Sequence, residues 1–234
     1  MKWFVLFGIL CLAGCGTSSN SGNSPSSSIK LMQSTSLSLT TYGDRSISET
    51  LTKNVVSGDL IVVAFYCVGG PTQSAVSVTD SLGNFYQQAV EIQNGAYHAW
   101  IYFATNVKGG PVQDVVTAIV SQQSTQFSIV ALEYSGASAL DASQTNSGPM
   151  TSDSTTSSSG IAVTHYAEEL IVGVSLSDQL NTTMPGSGFT NQFASNYLMV
   201  EDKIVSTTGT YDAEFFLPTG CPLCIWEAAM ATFH

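Results

Sequence analysis

The chain has 234 residues, of which only 10% are charged, and its formal net charge is −11 at neutral pH. An acidic surface excludes most nucleic-acid binding, which depends on Lys and Arg neutralising phosphates, and it disfavours docking of the protein face on anionic lipid. Because Ser, Thr, Asn, Gln and Gly dominate the polar residues, the composition favours an exported β protein over a charged helical one.

The N-terminus has the layout of a secretory signal. Lys2 precedes an apolar run over residues 3–13, which is too short for a membrane-spanning helix of about 20 residues. The run ends in Leu-Ala-Gly-Cys at Cys15, which resembles the lipobox of bacterial lipoproteins. The resemblance implies that residues 1–14 are removed and that Cys15 is lipidated. Gly16, rather than Asp, resembles an outer-membrane sorting signal, so we expect an exported protein anchored in the bacterial envelope.

Residues 16–28 contain no apolar side chain and predict a flexible tether after Cys15. Thirteen such residues span about 20 Å on average. From residue 29 onwards, short apolar or alternating runs are separated by turn residues, which indicates an all-β, antiparallel sandwich. We therefore expect one β-sandwich domain over residues 29–234, with residues 15–28 as its lipidated tether.

The turn signals divide this domain into strands and one long loop. Residues 143–160 are rich in Ser and Thr without an apolar period and predict a surface loop. The strands are expected at 30–39, 59–67, 74–79, 87–93, 97–106, 113–121, 126–135, 160–164, 169–177, 190–194, 197–206, 210–217 and 225–233.

A weak internal repeat relates the two sides of that loop. The segment GDLIVV at 58–63 is echoed by EELIVG at 168–173, and 127–134 parallels 225–233. The repeat predicts two similar halves, at about 29–142 and 160–234, packed on one joint core. Two independent small domains are the alternative, but each would bury its apolar runs less completely.

Several turn and strand motifs carry a family resemblance. They are Ile-x-Leu-x-Gln-Ser at 29–34, GDLIVV at 58–63, VTDSLGN at 78–84, LEYSG at 132–136 and GSGF at 186–189. In this order they resemble exported bacterial domains with a concanavalin-A-like or jelly-roll sandwich. The resemblance implies that fold, and a sugar-binding or adhesive role, more strongly than it implies any activity.

Three cysteines lie in the predicted domain: Cys67, Cys221 and Cys224. Export favours a disulfide, either within the Cys-x-x-Cys pair or from Cys67 to one member of it. Redox chemistry needs a thiolate stabilised at a helix N-terminus, whereas this pair precedes a predicted strand. A structural zinc site needs four ligands, and the chain offers few others. We expect a structural disulfide.

Candidate catalytic groups are sparse. Asp212 and Glu214 lie two apart on a predicted strand, so both carboxylates would share one face. Concanavalin-like hydrolases carry a longer acidic run that is absent here, and a solvated strand face is the simpler interpretation. His98 is isolated, and His165 with Glu168 lacks the second histidine of a zinc protease. Without a nucleophile motif, we expect a non-enzymatic protein.

Two further sets of residues are candidates for binding. Asp80 and Asn84 could offer oxygen ligands to a structural calcium ion, although they also suit an ordinary tight turn. Trp100 and Tyr102 alternate with Ile101 on a predicted strand and share one face, so this pair could stack on a sugar ring if that face is exposed. Other tyrosines, including Tyr66, Tyr86 and Tyr197, are scattered along the chain.

These observations predict a lipid-anchored surface module that binds a glycan or a surface partner. Its contact with the membrane would be through the N-terminal lipid, and we expect no cofactor apart from a possible structural calcium. A structural or assembly subunit of the envelope is the alternative. A glycoside hydrolase with an unrecognised carboxylate pair is the least favoured interpretation.

Overall fold

The computed structural model of the chain describes residues 29–149, 155–177, 184–195, 197–217 and 225–234. Every pair of strands in this part of the chain is antiparallel, which confirms the predicted all-β class. No helix in the described residues has the length and hydropathy needed to cross a membrane.

The predicted signal, the lipidation site and the tether lie outside the described residues. The same is true of Cys221 and Cys224. These features remain predictions from the sequence.

The strands follow each other with short connections. Those up to residue 135 are β1 (Lys30–Asn54), β2 (Leu60–Val68), β3 (Ala75–Asp80), β4 (Gln87–Asn94), β5 (Tyr97–Ala104) and β6 (Gln113–Ser135). Those after it are β7 (Leu140–Pro149), β8 (Thr156–Ser158), β9 (Ala162–Thr164), β10 (Glu169–Ser177), β11 (Met184–Pro185), β12 (Thr190–Ala194), β13 (Leu198–Val205), β14 (Gly209–Tyr211), β15 (Glu214–Phe216) and β16 (Ile225–Phe233).

Two large sheets share one strand order. The first large sheet runs β1-β6-β2-β5-β4, and the second runs β7-β16-β10-β13-β12. The orders correspond position by position, with β1 matching β7 at one edge and β4 matching β12 at the other. This correspondence agrees with the weak sequence repeat, since the echoed segments 58–63 and 168–173 lie at the central strands β2 and β10.

The long strands β1 and β6 take part in two layers. The second half of β6 pairs with the start of β1 and with β2, whereas its first half pairs with the end of β1 and with β3. Register shifts in β1 around residues 40–46 interrupt the ladder between these regions. Such irregularities bend a strand. The small pairings β11-β15-β8 and β14-β9 lie beside the second large sheet.

Three apolar clusters separate these layers. The first fills the space between the two large sheets and contains Val62 and Val172. The second lies on the other face of the first large sheet and contains Phe65 and Trp100. The third lies on the outer face of the second large sheet, against Phe215. The central strands of both large sheets are therefore buried on both faces, which explains why strands such as β2 and β10 are continuous apolar runs.

The structure corrects several predicted elements. The expected loop at 143–160 contains most of the edge strand β7 and the whole of β8. Residues 143–147 of β7 are exposed at every position, so no buried face imposes an apolar period on them. The expected strands at 113–121 and 126–135 are one strand, β6. The expected strand at 210–217 is interrupted between β14 and β15.

Candidate functional site

Trp100 and Tyr102, the predicted sugar platform, lie in the core. Trp100 is completely buried, and its ring stacks on Phe65 with centroids 4.9 Å apart. Tyr102 is 8% exposed, and its hydroxyl donates to Gln88 Oε1 at 3.0 Å. The prediction that this face is open to a sugar is corrected, because the end of β1 and the first half of β6 cover it.

Cys67 is a buried free thiol in the same core cluster. Burial raises its pKa to about 12, and Gln73 Nε2 donates to its sulfur at 3.5 Å. No disulfide occurs among the described residues, and Cys67 is a free thiol. The pairing of Cys67 with the Cys-x-x-Cys motif is therefore corrected, whereas a bridge within the motif remains a prediction.

Asp80 and Asn84, the calcium candidates, lie in a turn that is held by hydrogen bonds among its own residues. Asp80 accepts hydrogen bonds from the Asn84 backbone nitrogen at 2.9 Å, the Asn84 side-chain amide at 2.7 Å and the Tyr86 hydroxyl at 3.1 Å. Asn84 Oδ1 in turn accepts a hydrogen bond from the Lys108 backbone nitrogen at 2.7 Å. The oxygens of both candidates thus already have protein partners, which is the arrangement of a stable turn.

The acidic pair at Asp212 and Glu214 does not occupy one strand. Asp212 lies in the break between β14 and β15 and accepts hydrogen bonds from the Ser158 and Ser159 hydroxyls, whereas Glu214 is exposed at the start of β15. The expected shared strand face is therefore wrong.

The two candidate histidines are separated in the fold. His98 is buried against Trp100, and its ring nitrogen Nε2 lies 3.1 Å from the Gly70 carbonyl oxygen. Burial lowers the pKa of His98. His165 is exposed and its Nδ1 lies 3.0 Å from Asp141 Oδ1. Among the described residues no group of three or more His, Cys, Asp or Glu side chains is arranged to hold a metal ion.

A groove of about 350 Å³ opens where β1 and β6 of the first large sheet meet β12 of the second. We call it the tyrosine groove. Its aromatic residues are Tyr66, Phe127, Phe193 and Tyr197, and its polar side chains include Ser38, Gln126, Ser128 and Ser195. The volume lies within the usual range for small-ligand sites.

Two tyrosine rings of this groove, Tyr66 and Tyr197, stack with a third ring, Tyr97, which lies behind the lining. The Tyr66 centroid lies 5.8 Å from that of Tyr197 and 6.4 Å from that of Tyr97, and the Tyr97 and Tyr197 centroids are 5.5 Å apart. The rings are within 26° of parallel. Tyr66 is buried, whereas Tyr97 and Tyr197 are partly exposed. The buried ring therefore fixes the two that reach the surface.

Hydroxyl groups line the floor beside these rings. Ser38 and Ser128 lie opposite each other on β1 and β6, and their hydroxyl oxygens are 2.8 Å apart. Ser195 begins a turn in which its backbone nitrogen donates to the Leu198 carbonyl at 2.9 Å. This turn places Tyr197 against Tyr66. The groove thus combines aromatic rings with hydroxyl groups that can both donate and accept hydrogen bonds.

A second groove, of about 380 Å³, lies between β4 and the strands β7 and β16. We call it the glutamate groove. It is lined by Glu91, Gln93, Asn146, Ser147 and Glu227, together with Ile92 and Thr145. Glu227 is 8% exposed, and burial raises its pKa to about 7. Neither groove follows from the sequence alone, because each joins strands that are far apart in the chain.

Comparison with known proteins identifies no relative of this chain. No family model, no curated protein sequence and no solved structure matches the chain. What is shown is an all-β protein of packed antiparallel sheets with two grooves at the margins of its sheet–sheet interface.

Proposed function

We propose that this chain is a lipid-anchored, non-catalytic binding module of the bacterial envelope, and that its tyrosine groove binds an uncharged glycan. The fold name we favour is a jelly-roll or concanavalin-A-like sandwich, on the turn motifs that carry that resemblance. The proposed location in the envelope is based on the sequence up to Cys15 and on the polar tether that follows. The proposed glycan ligand is based on the side chains that line the tyrosine groove.

The observation that carries the glycan proposal is the chemistry of the tyrosine groove. Sugar rings present apolar C–H faces and a rim of hydroxyls, so a matching site needs aromatic surface beside groups that donate and accept. Tyr197 and Phe193 supply partly exposed rings, and Ser38, Ser128 and Gln126 supply the polar groups. No charged side chain lines this groove in the described part of the chain, which favours a neutral ligand.

The test is a glycan array probed with the purified full-length chain, followed by affinity measurement for any hit. Tyr197→Ala should weaken binding by about tenfold, since an aromatic contact contributes about 0.5–1.5 kcal/mol beyond its buried area and about 1.4 kcal/mol is a factor of ten. Tyr166→Ala is the matched control, because Tyr166 is an exposed tyrosine outside the groove. Equal affinity of the two variants, or an array without hits, would reject the glycan proposal.

The anchor is tested separately with Cys15→Ser. If Cys15 carries the lipid, the variant leaves the membrane fraction or retains its signal. Unchanged membrane retention with a processed N-terminus would contradict the anchor.

A structural or assembly role is the second candidate, and exposed apolar side chains on and near β3 favour it. Val76 on β3 is 60% exposed, and Phe85 in the following turn is 77% exposed. In the described residues β3 pairs only with β6, so its other edge is open to a further strand. Self-association of the purified chain that Phe85→Ser abolishes would support this role over glycan binding.

A further inference from the structure

The tyrosine groove is one end of a longer margin between the two large sheets. The first half of β1 forms one side of this margin and β12 forms the other, because each is an edge strand of its sheet. The margin continues from the groove towards Tyr134, whose hydroxyl donates to Asp202 Oδ2 of the second large sheet at 2.7 Å. Along β6, the distance from Ser128 in the groove to Tyr134 is about 20 Å.

Strand β12 follows β1 along this margin in the same direction. Thr190 at the start of β12 pairs with Asp202 and therefore lies at the Tyr134 end of the margin. Near the end of β12, Phe193 lines the tyrosine groove together with Ser38 of β1. Strand β1 also begins beside Tyr134 and reaches the groove at Ser38. The two edge strands therefore border one continuous strip of the sandwich.

The face of β1 that borders the margin carries hydroxyl side chains. They alternate along the strand and are Ser34, Ser36, Ser38 and Thr40. Their partners on β6 include Leu132 and Val130, which are completely buried in the cluster between the large sheets. The same face of the first large sheet therefore changes from apolar to hydroxyl-bearing where it reaches its edge.

These short side chains leave the margin open to a ligand. Packed sheets lie about 10 Å apart, and serine side chains are too short to fill that space. Ser36 and Thr40 are exposed, and so is Thr190 across the margin. Among the described residues, the hydroxyls of Ser36 and Thr40 make no hydrogen bond with another group of the protein. They can therefore donate to a ligand and accept from it.

Both sides of the margin are neutral. Residues 31–40 of β1 and 190–194 of β12 include no Asp, Glu, Lys or Arg, although the chain as a whole is acidic. Asp202 behind them is only 6% exposed, and its oxygens accept hydrogen bonds from the Tyr134 hydroxyl and, at 2.9 Å, from the Gln192 amide. A neutral strip of hydroxyl groups matches an uncharged, polyhydroxylated ligand.

We propose that the margin between β1 and β12 is an extended cleft for the interior of a linear, uncharged polysaccharide, with the tyrosine groove as its aromatic subsite. This inference rests on the proposed glycan-binding function of the groove and specifies the kind of glycan. The aromatic rings contact one sugar unit on its apolar face, and the hydroxyls of Ser34, Ser36 and Ser38 contact the units that follow. A cleft about 20 Å long takes several units, so affinity should increase with the length of the glycan.

Affinities of the purified full-length chain for a length series of the glycan found on the array test this cleft. The hexasaccharide should bind at least tenfold more tightly than the disaccharide, because only the longer ligand extends beyond the tyrosine groove. Ser36→Arg and Thr190→Arg each place a long side chain in the cleft and should remove most of that difference. Ser48→Arg is the matched control and should keep it, since Ser48 is an exposed serine of β1 beyond the register shifts, where β1 pairs with the first half of β6. Melting curves report whether each variant is folded.

Two results would overturn the extended cleft and leave the glycan site of the tyrosine groove in place. One is equal affinity of the wild type for the disaccharide and the hexasaccharide. The other is an undiminished length dependence in both Ser36→Arg and Thr190→Arg. Absence of binding by glycans of any length would reject the glycan site itself, and the extended cleft with it.

Discussion

Replacing Glu201 by Gln should stabilise the protein increasingly as the pH rises from about 4.5 to 8. Glu201 lies on β13 and is completely buried. Burial raises its pKa from 4.5 to about 8, although the Gly186 backbone nitrogen donates to Oε2 at 2.8 Å. The other oxygen, Oε1, has no partner among the described residues. The folded protein therefore keeps this proton at a pH where the unfolded chain has lost it.

The size of the effect follows from the difference between the two pKa values. A carboxyl whose pKa is raised by folding does not change the free energy of unfolding while the pH is below its pKa in the unfolded chain. As the pH rises from that value to its pKa in the folded protein, the free energy of unfolding falls. Each pH unit in that window costs about 1.36 kcal/mol. With a folded pKa of about 8, the total is about 3–5 kcal/mol. Gln has no proton to lose, so the Glu201→Gln variant escapes this penalty.

Urea denaturation of the wild type and Glu201→Gln, at intervals from pH 4 to 9, measures the difference in unfolding free energy. This difference should rise through the window and become constant above about pH 8. The slope is the diagnostic quantity, because an altered hydrogen bond in the variant adds only a constant offset. Glu214→Gln, at an exposed position on β15, should give a flat difference within about 0.5 kcal/mol. A flat line for Glu201→Gln would refute the reasoning.

Three further outcomes are expected. Relative to the wild type, the free energy of unfolding of Asp59→Asn should increase by about 1–3 kcal/mol between pH 4 and 6 in the same denaturation series. The reason is that burial and the neighbouring Glu133 raise the pKa of Asp59 to about 6. A constant difference between the two proteins across that range would contradict this. Cys67 should resist iodoacetamide at pH 8 in the native protein and react after unfolding, as read by peptide mass spectrometry; rapid native labelling would show that the thiol is accessible. Gly173→Ala should lower the free energy of unfolding by about 1–3 kcal/mol, since its added Cβ would lie 2.7 Å from the Ala213 side chain. Gly209→Ala, where the nearest atom is at 3.6 Å, is its control, and equal melting temperatures would contradict the crowding.

The interior strands could be predicted from the sequence because the fold buries them on both faces. In β2, Val62 and Ala64 enter the cluster between the large sheets, while Ile61 and Val63 enter the cluster on the other side. The resulting run of apolar residues is unmistakable. The edge strand β7 could not be found in this way. Its residues Ser143–Ser147 are polar, and its place is set by the ladder to β16 rather than by a period of its own.

The same double burial explains why the predicted binding residues were wrong. Alternation correctly separates Trp100 and Tyr102 from Ile101, but the inference of an exposed face assumes that a sheet has only one covered face. Trp100 lies in one core cluster and Ile101 lies in the other. No signal within β5 reveals the second covering layer, which is formed by the end of β1 and by parts of β6 and β3. The tyrosine groove was missed for a related reason, since Tyr66 and Tyr197 meet only through sheet packing.

The repeated strand order also explains why both grooves lie at the margins of the interface between the large sheets. Substitutions inside the stacked sheets must preserve volume and apolarity, because a buried polar group without a partner costs about 1–3 kcal/mol in mutational data. At the groove margins the two halves differ, with Ser128 buried in one and Glu227 buried in the other. A neutral, aromatic groove and an acidic groove can therefore coexist on equivalent strands.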